Sequence, residues 1–152
     1  MPAAPPESGP APGELSSPAF WLLKSEPDSF SWAQQVTAGI EPWTGVRNHA
    51  AGKNLRAMRV GDQALFYHSN EGKAVVGIVE VAREAYPDPT DGTGKWACVD
   101  VRTVGPLPRP VSLAEMRAEP ALADFALLRQ TRLSVVPVTP GQWATITGMA
   151  GL

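Results

Sequence analysis

Cysteine and histidine are scarce in this 152-residue chain, which contains only Cys98, His49 and His68. A single thiol excludes an internal disulfide framework and a zinc site built on several cysteines. The two histidines lie far apart in the sequence, and a zinc site would need carboxylates to complete its ligands. We therefore expect no metal site, no cofactor and a reducing, cytoplasmic setting.

Long apolar runs and a strong net charge are missing as well. No stretch approaches the ~18 apolar residues that a membrane span needs. The N-terminus lacks the basic and apolar segments of a secretory signal, so we expect no membrane partner. The formal net charge of −2 excludes a globally basic nucleic-acid binder but leaves room for a local basic patch.

The length fits one domain preceded by a tail. Residues 1–18 contain six prolines and a single large apolar residue, Leu15. Such a segment cannot bury enough apolar surface to offset the entropy lost on ordering, so we predict that it is disordered. Residues 19–152 are enough to bury a core, and we predict one domain there, in a monomeric protein.

The hydrophobic pattern predicts short strands alternating with short helices. The predicted strands run from Phe20 to Lys24, Gln63 to His68, Ala74 to Ala82, Lys95 to Val104 and Leu133 to Val138. The predicted helices are 30–37 capped by Asp28 or Ser29, 47–59, a helix from the Ser112 cap to Pro120, 121–128, and a helix after Thr139. Gly77 predicts a bulge or a tight bend. The fold class is α+β, a small, partly open β-barrel of five or six strands decorated by helices.

The stretch from Trp43 to Asn70 concentrates aromatic and basic side chains. It has no acidic residue between Trp43 and Gly61. In isolation such a charge cluster is most often a solvated helix face, but Trp43 is constrained by Pro42 before it and Gly45 after it. A bound base needs a flat aromatic surface and a few polar groups at its edge, and cations hold its phosphates. The composition fits a nucleobase pocket, and equally a pocket for a free nucleoside or an anionic metabolite.

A hydrolytic site is the third possibility. Ser25, Glu26 and His68 supply the residue types of a catalytic triad. No nucleophile-elbow motif surrounds Ser25, however, and Cys98 lies among apolar neighbours as a packed thiol does. We therefore expect no enzymatic activity.

Seven segments, in this order along the chain, resemble the EVE domain family, whose eukaryotic branch is the thymocyte nuclear protein group. The similarity covers the chain from about Ala19 to its C-terminus. The segments are WLLKSEPD, WTGVRNHAA-x3-LRAMRVGD, FYHSN, VGIVEVAREAYPDPT, KW-x2-VDV, PVSLAEMRAEPAL and LSVVPVT.

The resemblance implies a PUA-like fold, related to the YTH domains that hold a methylated adenine in an aromatic cage. It also implies binding of modified nucleobases, including modified cytosines, in DNA or RNA. The implied pocket residues are Lys24, Ser25 and Glu26 on one edge, Trp43 as a stacking wall with Gly45, Val46 and Asn48, and Tyr67, His68 and Ser69 on the remaining side. The implied phosphate contacts are Arg47, Lys53 and Arg56.

The chain departs from the family pattern at two places. His49 stands where relatives often have tyrosine, and the connection from Tyr86 to Trp96 is short. In the related YTH domains the corresponding loop supplies a second aromatic wall. We therefore expect a pocket that is open on that side.

Overall fold

The computed structural model describes residues 18–152, so the predicted tail falls outside the described residues except for Pro18. The strands are β1 (Phe20–Ser25), β2 (Ile40–Pro42), β3 (Gln63–His68), β4 (Ala74–Pro87), β5 (Ala97–Ser112) and β6 (Val135–Val138). The helices within this range are α1 (Trp32–Ala38), α2 (His49–Ala57), α3 (Leu113–Arg117), a 3-10 turn (Pro120–Leu122), α4 (Ala126–Arg129) and α5 (Pro140–Met149).

The strands form one mixed, six-stranded sheet in the order β2-β5-β4-β3-β1-β6. The pair β1–β3 is parallel and the other four pairs are antiparallel. The sheet is not closed, because β2 and β6 each have a single strand neighbour. The predicted α+β class and open sheet are confirmed.

The strand β2 was missed by the hydrophobic pattern. It is only three residues long and ends at Pro42, so neither length nor alternation marks it. It exists because Ile40 and Glu41 pair with Arg102 and Val101 of β5. This pairing carries the chain directly to Trp43, whose backbone N–H donates to the Val99 carbonyl at 2.7 Å.

The hairpin of β3 and β4 is confirmed, including the irregularity at Gly77. The register of β4 against β5 shifts between Val75 and Gly77. A Cβ atom on Gly77 would lie 2.4 Å from the ring of Trp32. Glycine is needed here because the indole packs directly on the strand backbone.

Two helices begin later than predicted, each directly after the residue that caps it. Ser31 rather than Asp28 or Ser29 caps α1, and its hydroxyl accepts from the N–H of Gln34 at 3.2 Å. Asn48 caps α2, and its side-chain oxygen accepts from the N–H of Ala51 at 2.9 Å. As a result, residues 43–48 form an irregular loop between β2 and α2.

The C-terminal half also differs in its boundaries. The strand predicted to end at Val104 continues to Ser112, and the helix predicted over 121–128 is split into the 3-10 turn and α4. The predicted helix caps Ser112 and Thr139 are confirmed, each as a full capping box.

The core lies between the sheet and the helices that pack on it. Phe66 of β3, Phe125, Leu22 and Leu55 are completely buried in it. Cys98 is also fully buried, which agrees with a packed thiol. No helix of residues 18–152 is long and apolar enough to cross a membrane. Within the same range, no three His, Cys, Asp or Glu side chains are grouped as metal ligands.

Candidate functional site

A cavity of about 480 Å³ lies where β1 ends, beside the loop that connects β2 and α2. We call it the Trp43 cavity. Seven of the residues predicted for the site line it, namely Lys24, Ser25, Glu26, Trp43, Gly45, Val46 and Arg47. It is completed by Ser29, Phe30, Glu41, Pro42, Thr44 and Ser134.

Trp43 forms the aromatic wall. Its ring packs edge-to-face with Phe30, at 6.1 Å between ring centres, and with Phe66, at 5.6 Å. Only 8 % of the residue is exposed. The indole is therefore fixed by the core before any ligand arrives, and its uncovered part lines the cavity.

Hydrogen bonds to Asp88 anchor the loop after Trp43. One carboxylate oxygen of Asp88 accepts from the N–H of Gly45 at 2.8 Å and from the Arg47 guanidinium at 3.1 Å. The other oxygen accepts from the N–H of Thr90 at 2.7 Å. Gly45 adopts a φ of 86°, which favours glycine, so the loop bends sharply at this anchor.

The carboxylate of Asp88 is ionised although the residue is only 1 % exposed. Burial by itself would raise its pKa. The hydrogen bonds from Thr90, Gly45 and Arg47 outweigh that effect and lower the pKa to about 2. Asp88 lies in the turn-rich connection from Tyr86 to Trp96, where no residue was predicted for the site. Its Asp-Pro-Thr sequence is a signal for a side-chain turn, but its partners in the Trp43 loop are distant in sequence.

The opposite edge of the Trp43 cavity is polar. Lys24 donates from Nζ to the Thr131 carbonyl at 2.9 Å, and burial lowers the pKa of this ammonium group. The Ser25 hydroxyl donates to the Phe30 carbonyl. Glu26 and Glu41 are the two acidic residues in the lining. Glu41 was missed because it reaches the cavity only through the pairing of β2 with β5.

Tyr67, His68 and Ser69 were predicted as pocket residues, but they do not line the Trp43 cavity. Tyr67 is 4 % exposed, and burial raises the pKa of its phenol. His68 accepts at Nε2 from the N–H of Trp32 at 3.0 Å, and burial lowers its pKa. Ser69 donates its N–H to the Ser25 carbonyl at 2.9 Å.

Asn48, Lys53 and Arg56 also lie outside the Trp43 cavity. Asn48 uses its side-chain oxygen to cap α2 and borders a second, smaller cavity of about 330 Å³. Lys53 and Arg56 are exposed on α2, and Arg56 donates from Nη2 to the Lys95 carbonyl at 2.8 Å. Of the three predicted phosphate contacts, only Arg47 reaches the Trp43 cavity.

The short connection from Tyr86 to Trp96 contributes no residue to the lining of the Trp43 cavity. It acts through Asp88 and Thr90, which both bind Arg47. The cavity therefore has one tryptophan in its wall, and the rest of its lining combines the apolar residues Phe30, Pro42 and Val46 with polar and charged residues.

Comparison with known proteins places this geometry in a family. The EVE domain profile matches residues 19–149. Thymocyte nuclear protein 1 of Gallus gallus is 37 % identical over 153 residues, a match that covers 78 % of this chain and 63 % of that protein. The matched region thus spans less than two thirds of the length of that relative.

Solved structures share the architecture. A protein from Rhodopseudomonas palustris, solved by NMR, is 57 % identical with a TM-score of 0.84, covering 88 % of this chain and 93 % of its own. Human thymocyte nuclear protein 1, solved in complex with DNA containing 5-methylcytosine, is 30 % identical with a TM-score of 0.82, covering 88 % and 98 %. An ASCH protein from Zymomonas mobilis, 12 % identical with a TM-score of 0.54 over 86 % and 95 %, shares the fold alone. These neighbours confirm the predicted PUA-like fold.

Proposed function

The chain belongs to the EVE domain family, and on that premise we propose that it is a non-catalytic module that binds a modified base in DNA or RNA. The base would occupy the Trp43 cavity. The human relative, solved with DNA that contains 5-methylcytosine, supports a nucleic-acid ligand and makes a modified cytosine the first candidate.

The Trp43 cavity itself is the observation that carries the proposal. Its volume of about 480 Å³ falls in the range of about 300–1,000 Å³ that is usual for small-molecule sites. A base can enter such a cavity only when it is unstacked and turned out of its strand. A pre-fixed tryptophan replaces the stacking that the base loses, at little entropic cost to the protein.

The polar lining favours bases that carry an exocyclic amino group. Glu26 and Glu41 are acceptors, and a carboxylate pairs well with the N4 amino group of cytosine. Lys24 and Arg47 supply donors for carbonyl oxygens or phosphate. Thymine and uracil present a carbonyl where cytosine presents its amino group, so the two carboxylates disfavour them.

The positions of Ser25 and His68 support the non-catalytic part of the proposal. The two residues are neighbours in the parallel pairing of β1 and β3. Nevertheless, Ser25 donates to the Phe30 carbonyl and His68 accepts from the Trp32 N–H. A histidine that is already accepting at Nε2 cannot act as the general base of Ser25 through that nitrogen.

Fluorescence anisotropy with matched oligonucleotides tests the proposal. The set carries cytosine, 5-methylcytosine, 5-hydroxymethylcytosine, adenine or N6-methyladenine at one central position, each in DNA and RNA. We expect one modified base to bind at least about tenfold more tightly than its parent, and Trp43→Ala to abolish that preference, since stacking contributes about 1–3 kcal/mol per base. Trp143→Ala, which removes a tryptophan stacked on Phe20, is the matched control.

Two outcomes would overturn the proposal. Equal binding of modified and unmodified strands would remove the base-specific part. A free nucleoside that binds as tightly as the best oligonucleotide would favour a small-molecule pocket, which the net charge of −2 also accommodates.

A further inference from the structure

A second tryptophan, Trp96, lies next to the rim of the Trp43 cavity but outside it. The backbone N–H of Asp88 donates to the Trp96 carbonyl at 2.9 Å. The side chain of the same Asp88 binds Arg47, which lines the cavity. A single residue therefore connects the cavity rim to Trp96.

Trp96 lies between the start of α2 and its own loop. The ring of His49 is 5.0 Å from the Trp96 ring, tilted by 35°, and the Lys95 ammonium is 5.2 Å from the Trp96 ring centre. A Cβ atom on Gly52 would lie 3.9 Å from the indole, so the ring rests against the helix backbone. His49 and Lys95 are exposed and Trp96 is half-buried. A base can therefore displace either neighbour from the ring without breaking a side-chain hydrogen bond of that neighbour within residues 18–152.

The surroundings of Trp96 carry unneutralised positive charge. Lys53 and Arg56 lie on the exposed side of α2, and Arg56 donates to a carbonyl rather than to a carboxylate. In the described part of the chain, neither they nor Lys95 forms an ion pair with an acidic side chain. Within the described residues, the one carboxylate that accepts a hydrogen bond from Trp96 is that of Asp91, from the backbone N–H at 2.8 Å.

We propose that these residues hold the strand that flanks the bound base, with the adjacent nucleotide stacked on Trp96 and its phosphates near the cations. We call this surface the Trp96 strip, formed by Arg47, His49, Lys53, Arg56, Lys95 and Trp96. The inference rests on the proposed function, because it extends the Trp43 cavity along the same nucleic-acid strand. It assigns a role to Trp96 and Lys95. It also places the phosphates that Lys53 and Arg56 contact outside the Trp43 cavity.

The positive charge of the Trp96 strip, and its connection to the Trp43 cavity through Arg47, indicate that its occupant is single-stranded nucleic acid. An aromatic face with cations around it is the surface used for single-stranded nucleic acid, since every base has a face that stacks and every nucleotide has a phosphate. A turned-out base leaves its neighbour in the strand partly unstacked and able to take a new stacking partner. Because Arg47 belongs both to the cavity and to the strip, one strand can occupy the two together.

The test compares two ligands on the same protein. The first is a modified mononucleotide, which fills only the cavity. The second is a short single strand with the same modified base at its centre. We expect Trp96→Leu, and separately the double variant Arg56→Gln with Lys95→Gln, to weaken the single strand about tenfold. Both variants should bind the mononucleotide within about twofold of the wild type. The double variant should also reduce the dependence of log K on log salt by about 0.7 for each lost phosphate contact.

Matched controls separate this proposal from the preceding one. Arg102→Gln removes the same charge at a residue paired with Glu80 on β5, and it should leave both affinities unchanged. Trp43→Ala should lose both ligands. Thermal melting of each variant shows whether it is folded.

The strip is refuted if the folded variants bind the single strand as well as the wild type does. It is equally refuted if Trp96→Leu weakens the mononucleotide by the same factor, since Trp96 would then act only by supporting the cavity through Asp88. A wild type that binds the mononucleotide but gains nothing from the flanking nucleotides would reject the strip and leave the cavity intact. A wild type that binds neither ligand would reject the proposed function as well.

Discussion

At the scale of single residues, Asp88 positions the site without lining the Trp43 cavity. It is a buried ion that fixes both the bend at Gly45 and the direction of Arg47. An unpaired buried charge is costly, whereas this one is satisfied by four hydrogen bonds. The loop that bears Trp43 is therefore positioned by a residue far from it in sequence.

Replacing Asp88 by alanine tests that role. We expect a loss of about 2–4 kcal/mol in the free energy of unfolding, because the donors of Gly45, Arg47 and Thr90 lose their acceptor. Chemical denaturation measures the loss. Asp124→Ala, whose carboxylate is 93 % exposed, is the control and should cost much less. An Asp88→Ala protein with unchanged stability would contradict the assigned role.

The acid sensitivity of Asp88 gives a second test. Its pKa is about 2 in the folded protein against an ordinary value of 3.8. A carboxyl group whose pKa is depressed in the folded state stabilises the fold at pH values above its pKa in the unfolded state. This contribution is lost as the pH falls from about 3.8 to about 2. The wild type should therefore lose stability in that window more steeply than Asp88→Asn does. If the wild type and Asp88→Asn lose the same amount of stability across this pH window, the depressed pKa is contradicted.

His68 should affect the stability of the fold at a higher pH than Asp88 does. Burial lowers the pKa of His68, and its neutral Nε2 accepts from the N–H of Trp32. Its stabilising contribution is therefore present above the unfolded value of about 6.5 and is lost as pH falls through the folded value. The melting temperature of the wild type should drop between pH 7.5 and pH 5 more than that of His68→Gln, whose amide oxygen can accept without titrating. Equal drops would contradict this account.

At the scale of elements, the loop between β2 and α2 shows what local pattern can and cannot predict. The strands β1, β3 and β4 follow from apolar runs and turn residues, so the pattern locates them well. The position of β2 depends on its pairing with β5, and hence Glu41 could not be assigned to the Trp43 cavity. Asp88 was missed for the same reason, since its partners lie across the fold.

Asn48 shows how one residue can support two interpretations. The motif resemblance implied that its side chain lines the pocket, but an asparagine before a helix is also a standard N-cap signal. That local signal was sufficient to predict its position. The structure uses the side-chain oxygen to begin α2, which places Asn48 outside the Trp43 cavity.

A pair of substitutions distinguishes capping from base contact at Asn48. Asn48→Ala should lower the free energy of unfolding by about 1 kcal/mol, because the N–H of Ala51 loses its acceptor. Asn48→Asp keeps an acceptor and should retain the stability. If the role is capping, the nucleic-acid affinity of Asn48→Asp should differ from that of the wild type only through the one negative charge that the substitution adds. A stable Asn48→Asp protein with a large loss of base preference would instead favour direct contact.

Gly77 tests the packing of α1 on the sheet. Gly77→Ala places a methyl group 2.4 Å from the Trp32 ring, so we expect a loss of about 1–3 kcal/mol or more from overpacking. Gly105→Ala on β5, where a Cβ atom meets nothing within 4 Å, is the control. Combining Gly77→Ala with Trp32→Leu should cost less than the sum of the two single losses. If the loss in the double variant equals the sum of the two single losses, the two residues do not interact.

For the whole molecule, the central feature is a rigid sheet that brings three distant segments to one place. The end of β1, the loop after β2 and the segment before β6 all meet at the Trp43 cavity. The chain has a net charge of −2, yet its cationic side chains beside the cavity stand on α2 and the loop that leads into it. Binding of a polyanion would thus be local and salt-dependent. The monomeric state and the cytoplasmic setting stay predictions.

Nuclear magnetic resonance of the five tryptophan indole N–H groups tests the central claim most directly. The signals are assigned by single Trp→Phe substitutions and followed during titration with a modified mononucleotide. We predict that the Trp43 signal shifts most and saturates with the ligand, while the Trp143 signal, from a ring stacked on Phe20, does not move. A saturating ligand that leaves Trp43 unshifted would contradict the Trp43 cavity as the site of base binding.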